Sequence, residues 1–291
     1  MKKVIIITGP TAIGKTKLSL KIAEEFKSPL INADVYQMFK GLPILTAKPT
    51  KAEQEKVKHY LIDSIDPNQK YSIYDYQKEV RSLIEQIDIP ILVGGSGLYI
   101  DSIIYNYQFP DDNYHFDDSN YTNEELYNLM IQLDPTMSDK IPVQNRRRIV
   151  RQIELIHMQE KEERSKKDEL YYDALIIALS LERSKLYERI NTRVLKMLED
   201  GMIEEVKNSP NLINTQIGKA IGYQDILKYL NNESTYDEMV DNIQKASRHY
   251  AKRQITWYKN HQNIKYLNVD LNDFDQTINE AKSIINEFLK N

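Results

Sequence analysis

Residues 9–16 read Gly-Pro-Thr-Ala-Ile-Gly-Lys-Thr, a complete G-x-x-x-x-G-K-[ST] phosphate-binding loop, or P-loop. The loop follows the apolar run 4–7, which is typical of a buried strand, and precedes Leu18, Ile22 and Phe26, which share one helix face. Backbone N–H groups of such a loop, together with the helix N-terminus, bind phosphate oxygens. Lys15 can neutralise the outer phosphate, and the Thr16 hydroxyl can hold Mg²⁺. The motif therefore predicts a site for a diphosphate or triphosphate.

Two more polar segments follow predicted strands. Asp34 comes directly after the short apolar run 30–33, where a carboxylate can hold Mg²⁺ through water, act as a general base, or cap a turn or helix. The run 89–93 leads into Gly94-Gly95-Ser96-Gly97 rather than into the Asp that holds Mg²⁺ in many P-loop ATPases. The usual acid of ATP hydrolysis is therefore missing from this position. The glycines allow close approach to a ligand, and Ser96 can cap a helix, contact a ligand, or do both.

The order of apolar segments predicts the elements that position these residues. Predicted strands cover 4–7, 30–33, 89–93 and 175–179, with a strand or turn in 59–65. Predicted helices cover 14–27, 73–87, 123–133, 145–160, 183–208, 219–230 and 236–259. Alternating strands and helices favour an α/β fold with a parallel sheet and helices on both faces. Ligands then bind at the carboxyl ends of the strands, where loops 9–16, 34–37 and 94–97 would meet.

The character of the chain changes near residue 107. Residues 110–125 are rich in Asp and Glu and have little apolar periodicity. We therefore expect a small helical insertion at 107–142, on a core formed by 1–106 and 143–291 with a mostly helical C-terminal part. Residues 160–170 are expected to be a solvated, charged connector.

The bulk composition is that of an ordinary globular protein. The 291 residues carry a net charge of −4, so any nucleic-acid site must be a local basic surface. The chain has no cysteine, which excludes disulfides, thiolate metal sites and a cysteine nucleophile. No apolar run reaches the length of about 18 residues needed to span a membrane, and the first apolar run is too short for a signal peptide. We expect a cytoplasmic monomer.

Two predicted helices each have a cationic face. At 100° per residue, Lys245, Arg248, Lys252 and Lys259 fall within about 60° of one another, and an apolar face lies about 140° away. In the helix that starts at 145, Arg147, Arg148 and Arg151 lie opposite isoleucines. Either face alone is explained by solvation. Two such faces beside a phosphate-binding core favour a polyanionic substrate, whose phosphates supply affinity and positioning.

A set of longer stretches resembles the tRNA dimethylallyltransferases, enzymes that prenylate adenosine 37 of tRNA. The matching stretches occur in the family's order and span nearly the whole chain. They are GPTAIGKT at 9–16, ADVYQMFKGLPILTAKP at 33–49, HYLID at 59–63, ILVGGSGLY at 91–99, NRRRIVRQIE at 145–154, ERINTRVLKML at 188–198, IGKAIGYQD at 217–225 and YAKRQITWYK at 250–259.

The resemblance implies a P-loop, kinase-like α/β core with a helical insertion. It also implies transfer of a dimethylallyl group from dimethylallyl diphosphate to N6 of adenosine 37 in the tRNA anticodon stem-loop, with release of diphosphate. The diphosphate would bind to Gly9, Thr11, Ala12, Ile13, Gly14, Lys15 and Thr16, with Mg²⁺ on Thr16. Asp34 would be the general base, Ser96 would hydrogen-bond near the reacting centre, and Arg193 would lie near the diphosphate or the base. Segments that match tRNA contacts comprise Asp34, Val35, Tyr36, Gln37, Arg147, Arg148, Arg151, Lys219, Gly222, Tyr223, Gln224, Lys252, Arg253, Gln254, Trp257 and Lys259.

The chain departs from the family pattern in a few places. Val35 stands where Ser usually follows the catalytic Asp, and Leu45 stands where Gly usually precedes TAKP. The first residue of the pair before LID is often His in the family, and here the pair is His59-Tyr60. The acidic insertion lacks a match for the family's tRNA-contacting basic residue. The sequence shows no zinc-finger extension of the eukaryotic kind, so we expect a bacterial-type enzyme.

Three other functions remain compatible with a P-loop and basic helices. A nucleoside or small-metabolite kinase would use the arginines at 145–151 in a lid over ATP. A prenyltransferase acting on free adenine nucleotides would share the donor but has no need of the basic helix. A nucleotide-gated RNA-binding protein would need no catalytic base, so replacement of Asp34 separates it from the enzymes.

Overall fold

The computed structural model describes residues 1–107, 109, 115–157, 169–261 and 264–290. It contains two compact units, one formed by residues 1–104 with 171–291 and the other by residues 105–170. The larger unit is a parallel sheet with flanking helices and the smaller one is helical, which confirms the predicted fold class. No helix within the described ranges combines the length and the apolar character that a membrane crossing requires.

The described part of the larger unit has six parallel strands in the order β3-β2-β4-β1-β5-β6. They are β1 (Lys3–Thr8), β2 (Leu30–Asn32), β3 (His59–Tyr60), β4 (Ile91–Val93), β5 (Asp173–Ser180) and β6 (Ile264–Asn268). In register, Ile5 of β1 lies between Ile91 of β4 and Leu175 of β5. Because all the strands run the same way, the loops that follow β1, β2 and β4 meet at one edge of the sheet.

The central strand is apolar on both sides because helices cover both faces of a parallel sheet. Val4 to Ile7 are fully buried. Ile5 and Ile7 pack in one cluster with Leu18 and Ile278, which lie on two different helices. Val4 and Ile6 point to the opposite face, since side chains alternate along a strand.

Helices α1–α12 occupy residues from the P-loop to the C-terminus. They are α1 (Lys15–Phe26), α2 (Val35–Met38), α3 (Lys51–Lys56), α4 (Ile73–Gln86), α5 (Gly97–Ile104), α6 (Asn123–Leu133), α7 (Arg146–His157), α8 (Arg183–Glu199), α9 (Met202–Lys207), α10 (Tyr223–Leu230), α11 (Tyr236–Lys259) and α12 (Phe274–Lys290). The capping box between Thr235 and Glu238 starts α11, at the predicted residue.

Several predicted boundaries differ from the structure. The predicted helix 183–208 is two helices, because Gly201 has a φ of 101° and ends the first of them. The predicted helix 219–230 begins at Tyr223, after a 3₁₀ turn at Ile217–Lys219. Strand β6 and helix α12 are not among the predicted elements, although Ile278, Ala281 and Ile285 recur at helical spacing and are buried. Residues 158–168, which include most of the expected charged connector, lie outside the described residues.

The smaller unit is built around α6 and α7. Leu126 and Met130 of α6 pack against Ile149 and Ile153 of α7. The unit therefore extends to residue 170, beyond the expected limit at 142, because the apolar face of α7 is buried against α6. Arg146 begins α7, and its guanidinium donates to Asp118 Oδ2 at 2.6 Å.

Candidate active site

The P-loop joins β1 to α1 and opens onto a cavity of about 1240 Å³. Gly14 is the N-cap of α1 and makes no side-chain capping bond. The first N–H groups of a helix have no partner within the helix, so those of α1 can serve an anion in this cavity. Residues 11–17 all line the cavity, whereas Gly9, which was also predicted to bind diphosphate, is not among its lining residues. Ala12 has a φ of 64°, a strained value for a residue with a side chain.

Two N–H groups of the P-loop are already engaged by α11. Gly9 N donates to the Tyr258 hydroxyl at 3.0 Å, and Thr11 N donates to Gln254 Oε1 at 2.9 Å. Both partners are buried. The backbone amides of Gly9 and Thr11 therefore face α11, and the amides that can face a ligand belong to the later part of the loop.

Lys15 lies inside the cavity, where its charge is costly. Its Nζ donates to the carbonyl oxygens of Gly9 at 2.9 Å and Pro10 at 3.0 Å. Burial lowers the pKa of Lys15 to about 8, Asp34 raises it in part, and Arg193 lowers it further. A bound diphosphate would place negative charge beside this ammonium and stabilise its charged form.

Asp34 follows β2 and is held by its neighbours on both sides. Asp34 N donates to Asn32 Oδ1 at 3.0 Å, and Asn32 Nδ2 donates back to Asp34 O at 2.8 Å. Asp34 Oδ1 caps α2 by accepting from Tyr36 N at 3.2 Å. Burial raises the pKa of the Asp34 carboxyl above its usual value, while Lys15, the bond from Tyr36 N and Arg193 lower it. Capping and base catalysis are therefore compatible roles for one carboxylate.

Arg193 of α8 completes a charged group with Lys15 and Asp34. Burial lowers the pKa of Arg193, the carboxylate of Asp34 raises it, and Arg189 lowers it. One turn earlier on α8, Arg189 Nε donates to Ala12 O at 3.0 Å. Helix α8 thus presents one arginine to the P-loop backbone and one to the cavity that contains Asp34.

A smaller cavity of about 230 Å³ adjoins Asp34. Residues that line both cavities are Thr11, Ala12, Asp34, Thr46, Ala47, Arg193 and Tyr250. The rest of the small cavity is mainly apolar and includes Leu45, Ile190 and Ile243, with Lys219 and Arg253 among its polar groups. A polar cavity that contains Lys15 and a mainly apolar one therefore share a wall that contains Asp34.

Ser96 contributes to the site through a neighbour that was not predicted. Ser96 N donates to Ala33 O at 3.2 Å, and Ser96 O accepts from Ile100 N at 3.1 Å at the start of α5. The Ser96 side chain interacts with the Tyr250 hydroxyl. Tyr250 lines both cavities, and burial raises the pKa of its hydroxyl. Tyr250 is not among the predicted site residues, because its place in the site depends on what its face of α11 packs against.

Comparisons with known proteins agree with this geometry. The sequence model of the family described as IPP transferase matches residues 37–261. The tRNA dimethylallyltransferase of Anoxybacillus flavithermus is 38% identical over 96% of this chain and 94% of its own length. The chain belongs to the IPP transferase family.

Solved structures of IPP transferases extend the likeness to the whole fold. The full-length tRNA isopentenylpyrophosphate transferase of Bacillus halodurans superimposes with a TM-score of 0.77 and 34% identity, over 100% of this chain and 97% of the other. A eukaryotic dimethylallyltransferase acting on tRNA superimposes with a TM-score of 0.86 and 26% identity, over 100% of this chain and 80% of the other. The chain is thus a prenyltransferase of the tRNA dimethylallyltransferase type.

The TAKP and LID stretches, two of those that resemble the family, stabilise the loop between α2 and α3. In TAKP, the buried Lys48 donates to Asp63 Oδ1 of LID at 2.6 Å and to Phe39 O at 2.6 Å. Burial lowers the pKa of Lys48, and Asp63 raises it in part. Glu205 of α9 accepts from Ile44 N and Leu45 N, both at 2.8 Å. These contacts place Thr46 and Ala47 in the wall shared by the two cavities of this IPP transferase.

The residues predicted to contact tRNA divide by exposure. Exposed members are Arg147, Arg148, Lys219, Gln224, Lys252, Arg253 and Lys259. Half-buried members are Val35, Tyr36, Gln37, Arg151 and Trp257, of which Arg151 pairs with Glu154 at 3.1 Å. Gly222, Tyr223 and Gln254 are buried, and the Tyr223 hydroxyl donates to Ser209 O. In this IPP transferase the three buried members therefore lie beneath the surface that the exposed members form.

Proposed function

We propose that this enzyme transfers a dimethylallyl group from dimethylallyl diphosphate to N6 of adenosine 37 in a tRNA anticodon loop and releases diphosphate. The observation that carries the proposal is the position of Asp34 in the wall between the polar P-loop cavity, which contains Lys15 and Arg193, and a mainly apolar one. Prenyl transfer needs an anion site for the leaving group, an apolar space and a base for the amine, all at one point. This site offers the three together.

The donor's diphosphate would bind to the later part of the P-loop. The amides at the start of α1 and the ammonium of Lys15 supply donors and charge where negative charge develops as the C–O bond breaks. Arg193 adds a second positive charge that interacts with Asp34. In this reaction the loop stabilises a departing diphosphate instead of a phosphoryl group in transfer.

Mg²⁺ fits this site as a partner of the donor. No group of three or more acidic or histidine side chains suited to a metal occurs among the residues that the structure describes. Mg²⁺ often binds through few protein ligands, keeps several waters and relies on substrate phosphates. The Thr16 hydroxyl lines the cavity and would be the protein ligand. The ion would supply further charge neutralisation of the diphosphate.

Asp34 would accept the proton that the exocyclic amine loses as the new C–N bond forms. A pKa raised by burial makes the carboxylate a better base than an exposed aspartate. Val35, which stands where the family usually has serine, is the first residue of α2, the helix that the Asp34 side chain caps.

The tRNA would bind through the exposed cations of α11 and through those of α7 in the smaller unit. These groups contact phosphates and supply affinity. The target adenine must leave its stack to reach Asp34, which costs least in a single-stranded loop.

The kinase alternative is not favoured. In many P-loop ATPases an acid near the end of this strand holds Mg²⁺, whereas β4 ends at Val93 before Gly94-Gly95. The proposal is tested by mixing the protein, Mg²⁺ and labelled dimethylallyl diphosphate with unmodified tRNA that carries A36-A37-A38, and with AMP and ATP in separate tubes. Label on the tRNA alone supports it, and loss of label when A37 is replaced by G gives the site. Label on AMP or ATP, or consumption of ATP without transfer, contradicts it.

A further inference from the structure

Gln254 lies in the middle of the AKRQITW segment but is turned inward. Its neighbours Lys252 and Arg253 are exposed, whereas Gln254 is only 4% exposed. A side chain with so little accessible surface cannot take part in a wide contact with a polyanion. Gln254 borders the P-loop cavity, so its role is local to the loops around that cavity.

The Gln254 amide connects two loops of the active site. Its Oε1 accepts from Thr11 N of the P-loop at 2.9 Å, and its Nε2 donates to Gly95 O at 3.0 Å. A carbonyl oxygen and an N–H group each find the complementary partner, so this orientation of the amide satisfies both. The bonds join the loop after β1 to the loop after β4, which carries Ser96.

The neighbouring glycines make this approach possible. A Cβ atom on Gly95 would lie 2.0 Å from Gln254 Nε2, and one on Gly97 would lie 2.6 Å from the Trp257 ring. Real Cβ contacts are never that short, so the Gln254 amide and the Trp257 ring would have to shift. The glycines of this loop thus admit α11, in addition to any ligand.

We propose that Gln254 is a positioning residue, which holds the P-loop at a set distance from the Ser96 loop and so governs binding of the donor's diphosphate. It acts through Thr11 and Gly95 and makes no contact with tRNA. The proposal rests on the proposed function for the identity of the donor, but its effect on diphosphate binding is independent of it.

The test is Gln254→Met, which keeps the size of the side chain and removes both hydrogen bonds. The matched control is Gln244→Met, a half-buried glutamine of the same helix whose Nε2 donates to Asn191 O at 3.4 Å. Calorimetry measures the Kd of inorganic diphosphate with Mg²⁺, and filter binding measures the Kd of tRNA. We expect Gln254→Met to weaken diphosphate binding about 10- to 100-fold and to change the tRNA Kd less than twofold. Gln244→Met should change neither.

A second variant reaches the same contact from the other side. Gly95→Ala displaces the Gln254 amide and should give the same pattern, a weakened diphosphate Kd with the tRNA Kd retained. If Gln254→Met fails to fold by circular dichroism, Gly95→Ala decides. Weakened tRNA binding with an unchanged diphosphate Kd would overturn the proposal and make Gln254 a tRNA contact. If the wild-type protein binds diphosphate but transfers no prenyl group, the proposed function fails while the diphosphate measurements still decide the role of Gln254.

Discussion

Asp34→Asn isolates the charge of Asp34 from its structural role. Asparagine keeps the shape of the side chain and an Oδ1 that can accept from Tyr36 N, so the cap of α2 is retained. It removes the base. A positioned general base contributes about 10²–10⁴-fold to rate, so we expect kcat to fall by that factor, or about 3–5.5 kcal/mol in activation free energy.

The same change also acts on Lys15. The Asp34 carboxylate raises the pKa of Lys15, which is about 8 with Asp34 present. Without that carboxylate the pKa of Lys15 falls further, so a smaller fraction of Lys15 is charged at pH 8 and the KM for the donor rises. The replacement is not expected to lower the stability of the folded protein. Because burial raises the folded-state pKa of Asp34, its contribution to stability is full below the unfolded pKa and is lost as pH rises through the folded pKa. Replacement by a neutral residue should therefore leave Tm at pH 7.5 unchanged or higher.

The assay is single-turnover transfer of labelled dimethylallyl to saturating tRNA between pH 6 and pH 9, with tRNA binding measured in parallel. Loss of the chemical step with the tRNA Kd changed less than twofold supports the assignment. Near wild-type turnover, or a tenfold loss of tRNA affinity with normal chemistry, would refute it.

Three more outcomes follow from the contacts around the site. The kcat/KM of the wild type for the donor should decline above about pH 8 as Lys15 loses its proton. In Lys15→Arg this decline should disappear, because a guanidinium keeps its charge. An identical decline in both proteins would exclude Lys15 as its cause. Glu205→Ala leaves two backbone N–H groups without their acceptor and should lower the free energy of unfolding in urea by about 2–4 kcal/mol. The control Glu204→Ala, at an exposed residue, should lower it by less than about 0.5 kcal/mol. Equal losses would contradict the role of Glu205. Lys48→Met removes a buried partner of Asp63 and should lower stability by about 2–3 kcal/mol. Thermal unfolding of the variant and the wild type measures this loss. An unchanged Tm would show that the TAKP–LID contact contributes little.

Local pattern was enough to predict the parts of this protein that depend on neighbouring residues. The P-loop is eight consecutive residues between an apolar strand and a periodic helix, and Asp34 follows its strand directly. Asp34 and residues 11–16 of the loop line one cavity. The bounds of α11 are also as predicted, since its cap and its apolar spacing are local. Helix α12 has a similar spacing of apolar residues, although it is not among the predicted elements. Strand β6 is short and mostly exposed, so its apolar pattern is weak.

The partners of each face could not be read from the sequence. Periodicity shows that one side of α11 is buried, but Gln254 meets Thr11 across 243 residues of chain, and Glu205 meets Ile44 across 161. Hydrogen bonds of this kind depend on where the sheet order brings distant segments, and no local signal encodes that order. The sequence by itself therefore determined the fold class, the phosphate loop and the candidate base. Only the tertiary structure decided that Tyr250 lines the site, that Gln254 and Tyr223 are buried, and that Arg151 is already paired, because burial and pairing are set by packing between residues far apart in the chain.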